Sequence, residues 1–335
     1  VQHAFAYDDL REWIAEADKL GEMRYLDGMS WEKDIGMVTE MLHHTDPAPC
    51  ALFDKVPGCP DGFRVLTNFF GGKRRGMTIG FPSDMSKLEL TDGLAEITET
   101  KKPIPHKIVE TGPIMENVIT GDDIDMYKYP TPKWHEEDGG RYIGTGSYNV
   151  TKDPDEDWIN TGTYRVMIQD KKKVGFYISP GKHGRIHRDK YMARGEKMPA
   201  CIVVGGDPMM FLMASSEVPY GLCEYDLVGG YREKAMECVK GKVTGLPFPA
   251  NAEMVIEGWI DPEEFIDEGP FGEWTGYYAS DTRPEPVMHV EAIYHRNDPI
   301  ILGCPPQRPP DELARYRAVA RSALLKRAIE AAGVP

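Results

Sequence analysis

The segment Glu268-Gly269-Pro270-Phe271-Gly272-Glu273 sets two carboxylates five residues apart across a turn made largely of glycine and proline. Gly269-Pro270 excludes a helix there, and Pro270 has no backbone donor. Gly272 lets the chain bend again just before Glu273. A rigid loop of this kind can hold two acids in different surroundings, one kept ionised and the other able to carry a proton. The plainer alternative is an acidic surface turn. Trp274 follows directly, with lining of an aromatic pocket or a place in the core as its two options.

Four further segments carry groups that could work with this pair. They are Asn160-Thr161-Gly162-Thr163-Tyr164-Arg165, Ser179-Pro180-Gly181-Lys182-His183, Ala214-Ser215-Ser216 and Gly221-Leu222-Cys223-Glu224-Tyr225. Asn160, His183 and Glu224 form a mixed oxygen and nitrogen donor set. Such a set suits Mn²⁺ or Mg²⁺, with phosphate or water at the remaining positions. The spacings match no zinc signature, and a buried histidine satisfied by its neighbours is the ordinary alternative. Arg165 is a natural partner for Glu268 or Glu273. Its guanidinium can hold one carboxylate bidentately and still face the carboxylate of a substrate. An ion pair that merely closes a sheet is the competing reading.

The remaining composition narrows the field. The chain has 335 residues, 41% of them hydrophobic, enough for two or three domains with real cores. A net charge of −15 argues against a nucleic-acid partner. The runs Lys171-Lys172-Lys173 and Lys73-Arg74-Arg75 are too short to reverse this and read as solvated turns. No apolar run approaches the roughly 18 residues needed to cross a bilayer, and no signal-peptide pattern opens the chain. Six cysteines are scattered without a C-x-x-C pair, which excludes neither fold nor chemistry but points away from a disulfide scaffold or structural zinc. The reading is a cytoplasmic protein with reduced thiols and no membrane partner.

These groups need elements to position them. Leu10, Trp13, Ile14, Ala17 and Leu20 recur at helical spacing after Asp8, a candidate N-cap, and Gly21 stops the run. A second helix is expected over 35–44, short strands over 51–53 and 64–66, and a third helix over 84–100. Prolines 105, 113, 130 and 132 then punctuate an extended connector. Strand-type runs follow at 143–150, 163–169, 174–178, 200–205, 254–260 and 287–294, with helical insertions near 189–194 and 230–236. This pattern predicts an α+β protein: an N-terminal α/β domain over 1–113, then a β-rich, largely antiparallel barrel domain over 114–310. An amphipathic helix over 313–332 closes the chain. One helix cannot bury its own apolar face, so it either packs back on the body or leads into further sequence.

With these motifs in order, the chain resembles the UbiD family of decarboxylases. The resemblance runs from about Pro130 to Pro309 and is weaker before it. It implies a split β-barrel of flavin-reductase type that binds prenylated FMN, with Mn²⁺ and K⁺ holding the phosphate. It implies Asn160, His183 and Glu224 as metal ligands. Ala214, Ser215, Ser216 and Glu224 fall near the K⁺ and phosphate positions. Thr145, Thr163, Arg165, Lys182, His183, Ser215 and Ser216 form the implied cofactor-binding set. Arg165, Glu268 and Glu273 fall on the family's Glu-Arg-Glu network, with Glu273 as proton donor and Glu268 ionised against Arg165. Burial is expected to raise the pKa of Glu273. The implied activity is reversible, non-oxidative decarboxylation of an aromatic, heteroaromatic or α,β-unsaturated acid. A flavin prenyltransferase would supply the cofactor.

The chain also departs from the family pattern. Members are longer, and the implied missing part carries a C-terminal domain; the helix over 311–335 is then a linker toward it, expected to pack poorly on its own chain. The full-length protein is expected to be a homo-oligomer, a dimer or hexamer. Lys182 stands where at least one relative has Gln. Two other functions compete: a flavin-dependent oxidoreductase, for which no G-x-G-x-x-G follows a strand, and a non-catalytic subunit of a carboxylase or decarboxylase complex, against which the intact Arg165, Glu268 and Glu273 set argues. A glycosidase reading has only the two acids behind it.

Overall fold

The computed structural model describes residues 2–334. Its N-terminal helix, Leu10–Lys19, buries Leu10, Trp13, Ile14 and Ala17 and is capped by Asp9, whose side chain accepts from the Glu12 amide. The helix Lys87–Thr100 starts with a full capping box between Ser86 and Glu89. Between them lies a four-stranded sheet in the order Met23–Asp27, Cys50–Asp54, Arg64–Thr67, Ile300–Gly303. The last strand lies inside the stretch read from sequence as barrel. It pairs in parallel with Arg64–Thr67, and so ties the far end of the chain to the N-terminal layer. This pairing carries the residues after Gly303 to the site described below.

The main sheet has nine strands and is antiparallel throughout. Its spine is the pair Met254–Glu268 and Arg283–His295, far longer than the 254–260 and 287–294 runs that alternation marks. Register shifts near Gly258 and after Ile260 interrupt the pairing. Shifts of this kind bend a strand and raise its twist, and the sheet curls into half a barrel. The expected run 143–150 divides into Tyr142–Gly144 and Tyr148–Lys152, with Gly146 between them pressed on the backbone of Leu302.

Two expectations change on inspection. The run Lys73-Arg74-Arg75 is not a solvated turn. Arg74 is fully buried, pairs with Glu22 at 2.7 Å and donates to the carbonyls of Ala48 and Asn68. Its counter-charge comes from a residue distant in sequence, which makes an otherwise prohibitive burial tolerable. By contrast Lys171, Lys172 and Lys173 do form surface pairs, with Asp125, Asp122 and Glu264. The closing helix, Glu312–Ala331, does not pack poorly along its whole length. Tyr316, Val319, Ala320 and Ala323 are buried, and the Tyr316 ring meets those of Phe70 and Phe211. Its first residue, Glu312, is buried and accepts from the backbone amides of Asn68 and Phe70. Only the far half leaves Leu324, Leu325 and Ile329 exposed.

All six cysteines are free thiols. No helix among the described residues is long and apolar enough to cross a membrane.

Candidate active site

Arg165 opens the strand Arg165–Ile168, and Glu268 ends the long strand Met254–Glu268. The sheet brings them together. Arg165 Nε donates to Glu268 Oε1 at 2.8 Å and Nη2 to Oε2 at 2.7 Å, a bidentate pair. Of the two partners sequence left open, Glu268 takes the fork. Glu273 Oε1 lies 3.7 Å from the remaining nitrogen, Nη1. The guanidinium lies over aromatic rings, 4.9 Å from the Tyr177 centroid and 5.1 Å from that of Phe271. Burial opposes the charge on Arg165, but the hydrogen bonds and charge of Glu268 more than offset this and hold its pKa above the usual arginine value.

The loop between the two acids is held from outside. Phe271 is buried against the Tyr142 ring, with centroids 4.1 Å apart. Gly139 N donates to the Pro270 carbonyl, and Gly272 N donates to Asp138 Oδ1. Asp138 also accepts from the amides of Trp134 and His135, while His135 Nε2 lies 2.9 Å from the Pro306 carbonyl. A methyl group added at Gly139 would overlap the Gly269 carbonyl oxygen. Gly139→Ala is therefore expected to displace this loop, cost about 1–3 kcal/mol and lower kcat at least tenfold. Thermal unfolding and steady-state rates on the same preparation check this.

Glu273 itself is less buried than expected, with 32% of its side chain exposed, against none for Glu268. The reason is local. Glu273 sits in a tight turn closed by its own amide to the Tyr277 carbonyl and by Gly276 N to the Glu273 carbonyl, at the rim of a cavity of about 320 Å³. Trp274 lines that cavity and is half exposed, so it is no core tryptophan. Thr145, Thr163, Arg165 and Lys182 line the same space.

A second cavity of about 130 Å³ adjoins the first and shares Thr163, Tyr164 and Lys182 with it. Asn160, His183 and Glu224 all line it, with Ala214 and Ser216. Glu224 starts the helix Glu224–Arg232 and is 2% exposed. Its Oε2 accepts from the Thr161 amide at 2.7 Å. No basic side chain pairs with it among the described residues, and burial pushes its pKa up to about 7. Asn160 donates from Nδ2 to Thr151 Oγ1 and the Tyr164 hydroxyl, which commits its amide nitrogen and turns the oxygen to other partners. His183 starts the helix His183–Ala193 and packs edge-on against Trp158 and Tyr220. Burial and then the charge of Lys182 lower its pKa, which favours the neutral form that ligates metal. A buried carboxylate lacking a cation, an amide oxygen and a neutral imidazole around one cavity fit a divalent, oxygen-preferring ion.

Not every expected residue reaches the cavities. The Ser215 hydroxyl turns back onto the Leu212 carbonyl, as a residue closing a helix does; Ser216 makes the same bond but also lines the second cavity. Thr145 Oγ1 accepts from the Cys304 amide. Sequence reasoning missed three groups. Tyr164 takes hydrogen bonds from Asn160 and from the Gly184 amide, and so ties one expected ligand to the start of the helix that carries His183; its place inside the Asn160–Arg165 motif was the available signal. Asp138 staples the Glu268–Glu273 loop from a segment without a recognisable pattern. Arg317, on the closing helix, lines the larger cavity.

Residues 107–309 match the family model of the UbiD 3-octaprenyl-4-hydroxybenzoate carboxy-lyase Rift-related domain. The chain belongs to the UbiD family. It is 32% identical over 314 residues to the pyrrole-2-carboxylic acid decarboxylase of Pseudomonas aeruginosa, covering 90% of this chain and 62% of that relative. It is 33% identical over 302 residues to ferulic acid decarboxylase 1 of Candida dubliniensis, covering 88% of this chain and 58% of that protein. The chain thus spans about three-fifths of the length of these UbiD-family relatives. Among solved structures, the vanillic acid decarboxylase of Sedimentibacter hydroxybenzoicus in closed form superposes with a TM-score of 0.91 at 29% identity, covering 98% of this chain and 70% of that one. The UbiD-class enzyme HmfF of Pelotomaculum thermopropionicum, in an evolved dimeric form in complex with prFMN, gives 0.85 at 26% identity, covering 97% and 73%.

Proposed function

We propose that this UbiD-family chain carries the catalytic centre of a carboxy-lyase that removes CO₂, reversibly and without net oxidation, from an aromatic, heteroaromatic or α,β-unsaturated acid. The observation that carries the reading is the Arg165 guanidinium, held bidentately by buried Glu268 while Glu273 stands 3.7 Å away at the rim of the same cavity. The acids named for the family relatives support the substrate class.

Loss of CO₂ leaves carbanion character that no side chain can delocalise; prenylated FMN supplies the electron sink when bound. On this reading the curled antiparallel sheet is its split barrel. Asn160, His183 and Glu224 would hold Mn²⁺, the segment Ala214–Ser216 would lie near K⁺, and Thr145, Thr163 and Lys182 would contact the cofactor. Arg165 binds and orients the substrate carboxylate. Glu268 fixes Arg165 and keeps its charge localised. Phe271, Tyr177 and Trp274 exclude water from the reacting carbon. Glu273 returns one proton to that carbon after CO₂ departs. For this it must carry a proton at that moment. A flavin prenyltransferase supplies the cofactor, and the working assembly is a homo-oligomer.

Two experiments bear on this. Protein produced together with a flavin prenyltransferase is expected to carry prenylated FMN by absorption and mass; plain FMN with activity dependent on a nicotinamide donor would favour an oxidoreductase instead. Glu224→Gln is expected to lower Mn²⁺ affinity by more than the roughly 10–100-fold typical of losing an outer-sphere partner, read by metal analysis after dialysis against graded Mn²⁺. Unchanged metal content would remove Glu224 from the ligand set.

A further inference from the structure

Arg317 is a cation without a counter-charge at the edge of the catalytic cavity. It projects from the helix Glu312–Ala331 and lines the same space as Arg165, Glu273 and Trp274. Its Nε is buried and has no hydrogen-bond partner, and no carboxylate pairs with its guanidinium among the described residues. Arg165 is engaged by Glu268, Arg283 by Glu285, Arg321 by Glu217, and Arg315 by the His43 carbonyl; Arg75, whose Nε is also buried without a partner, lines neither cavity. The helix under Arg317 is fixed, since Glu312 is bound to two backbone amides and Tyr316 is in the core. Arg317 is thus presented on a rigid element rather than on a mobile tail, as a specificity group needs to be.

Charge balance in the two cavities says what it awaits. In the larger cavity the charge of Arg165 is matched by Glu268, and the one carboxylate among the described lining residues, Glu273, stands 3.7 Å from Arg165 Nη1. Lys182 borders both cavities, so it is accessible to a phosphate in the smaller one. Arg317 borders only the larger cavity, away from Asn160, His183 and Glu224. An unpaired, partly desolvated guanidinium is costly unless a ligand completes its hydrogen bonds. A planar carboxylate does so best.

We infer that Arg317 binds a second carboxylate on the substrate, so that the preferred acid is an aromatic or heteroaromatic dicarboxylic acid of which Arg165 orients the reacting carboxylate and Arg317 the spectator. The inference rests on the decarboxylase reading for its chemistry but not for its binding arm. Two readouts separate them. In the first, the cofactor-loaded protein is assayed with pyrrole-2-carboxylate and pyrrole-2,5-dicarboxylate, and with benzoate and its dicarboxylate isomers. The expected result is a higher kcat/KM for a diacid, with Arg317→Gln collapsing the diacid-to-monoacid ratio on the order of 10–100-fold and Arg317→Lys restoring part of it. In the second, calorimetric titration of cofactor-loaded Glu273→Gln protein, which binds without turning over, is expected to give tighter binding with the diacids than with the monoacids, and this difference is lost when Arg317→Gln is added. A ratio that stays constant because both acids lose equally would overturn the inference and make Arg317 a cofactor-holding or structural residue. Equal binding of mono- and diacids to wild type and variant would overturn it as well. If no acid turns over but the binding difference follows Arg317, the subsite stands and the decarboxylase reading falls.

Discussion

Glu273→Gln is expected to abolish turnover in cofactor-loaded protein while leaving flavin content unchanged. The amide matches the carboxyl in shape and keeps its place in the turn closed by the Tyr277 carbonyl, but it cannot deliver a proton to carbon. General acid catalysis contributes roughly 10²–10⁴-fold, and a fall of that size in kcat is the expected effect. Exchange of deuterium into the product at the former carboxylate carbon is expected to fall in parallel. If Glu273→Gln exchanges and turns over like the parent, another group is the proton donor. Because Glu273 contacts only Nη1 of Arg165, at 3.7 Å, the bidentate pair behind it survives the change, so stability is expected to move little.

Arg165→Ala is expected to differ on that last point. It removes the group that orients the substrate carboxylate, and it strands Glu268, whose side chain has no exposure at all. Breaking a buried pair by deleting one partner costs about 3–5 kcal/mol, because the survivor remains as an uncompensated buried charge. The variant is expected to unfold several degrees lower and to lose turnover. The double replacement Arg165→Ala with Glu268→Ala is expected to recover part of the stability and none of the activity. If the single variant is as stable as the parent, Glu268 has another counter-charge and the pair is not what fixes Arg165. Arg165→Lys would keep the charge but lose the fork, and intermediate behaviour is expected from it.

How much of this was legible beforehand depended on distance along the chain. Motifs whose residues sit close together were readable: Asn160 with Arg165, Lys182 with His183, Glu268 with Glu273. Alternation along the strands marked most of the antiparallel sheet, because a half-buried strand repeats every two residues. Groups that take their meaning from a remote partner were not readable. Arg74 looks like part of a basic turn until Glu22 is placed beside it. The strand Ile300–Gly303 falls inside the range read as barrel without being marked as a strand, and its role shows only when it pairs in parallel with Arg64–Thr67. Arg317 looks like one of several cations on an amphipathic helix until that helix packs beside the cavity. Ser215 misled for a local reason: a hydroxyl at a helix end bonds back to its own turn before it serves a ligand.

The most direct test of the central claim is to follow one turnover of the cofactor-loaded protein in D₂O with an aromatic acid, measuring CO₂ released, deuterium incorporated, and any oxygen or nicotinamide consumed. One CO₂ and one deuterium at the former carboxylate carbon per product are expected, with no net oxidant or reductant used, and both signals are expected to be lost in Glu273→Gln. Product formation that consumes oxygen or a nicotinamide in stoichiometric amount, or CO₂ release without deuterium at that carbon, would contradict it.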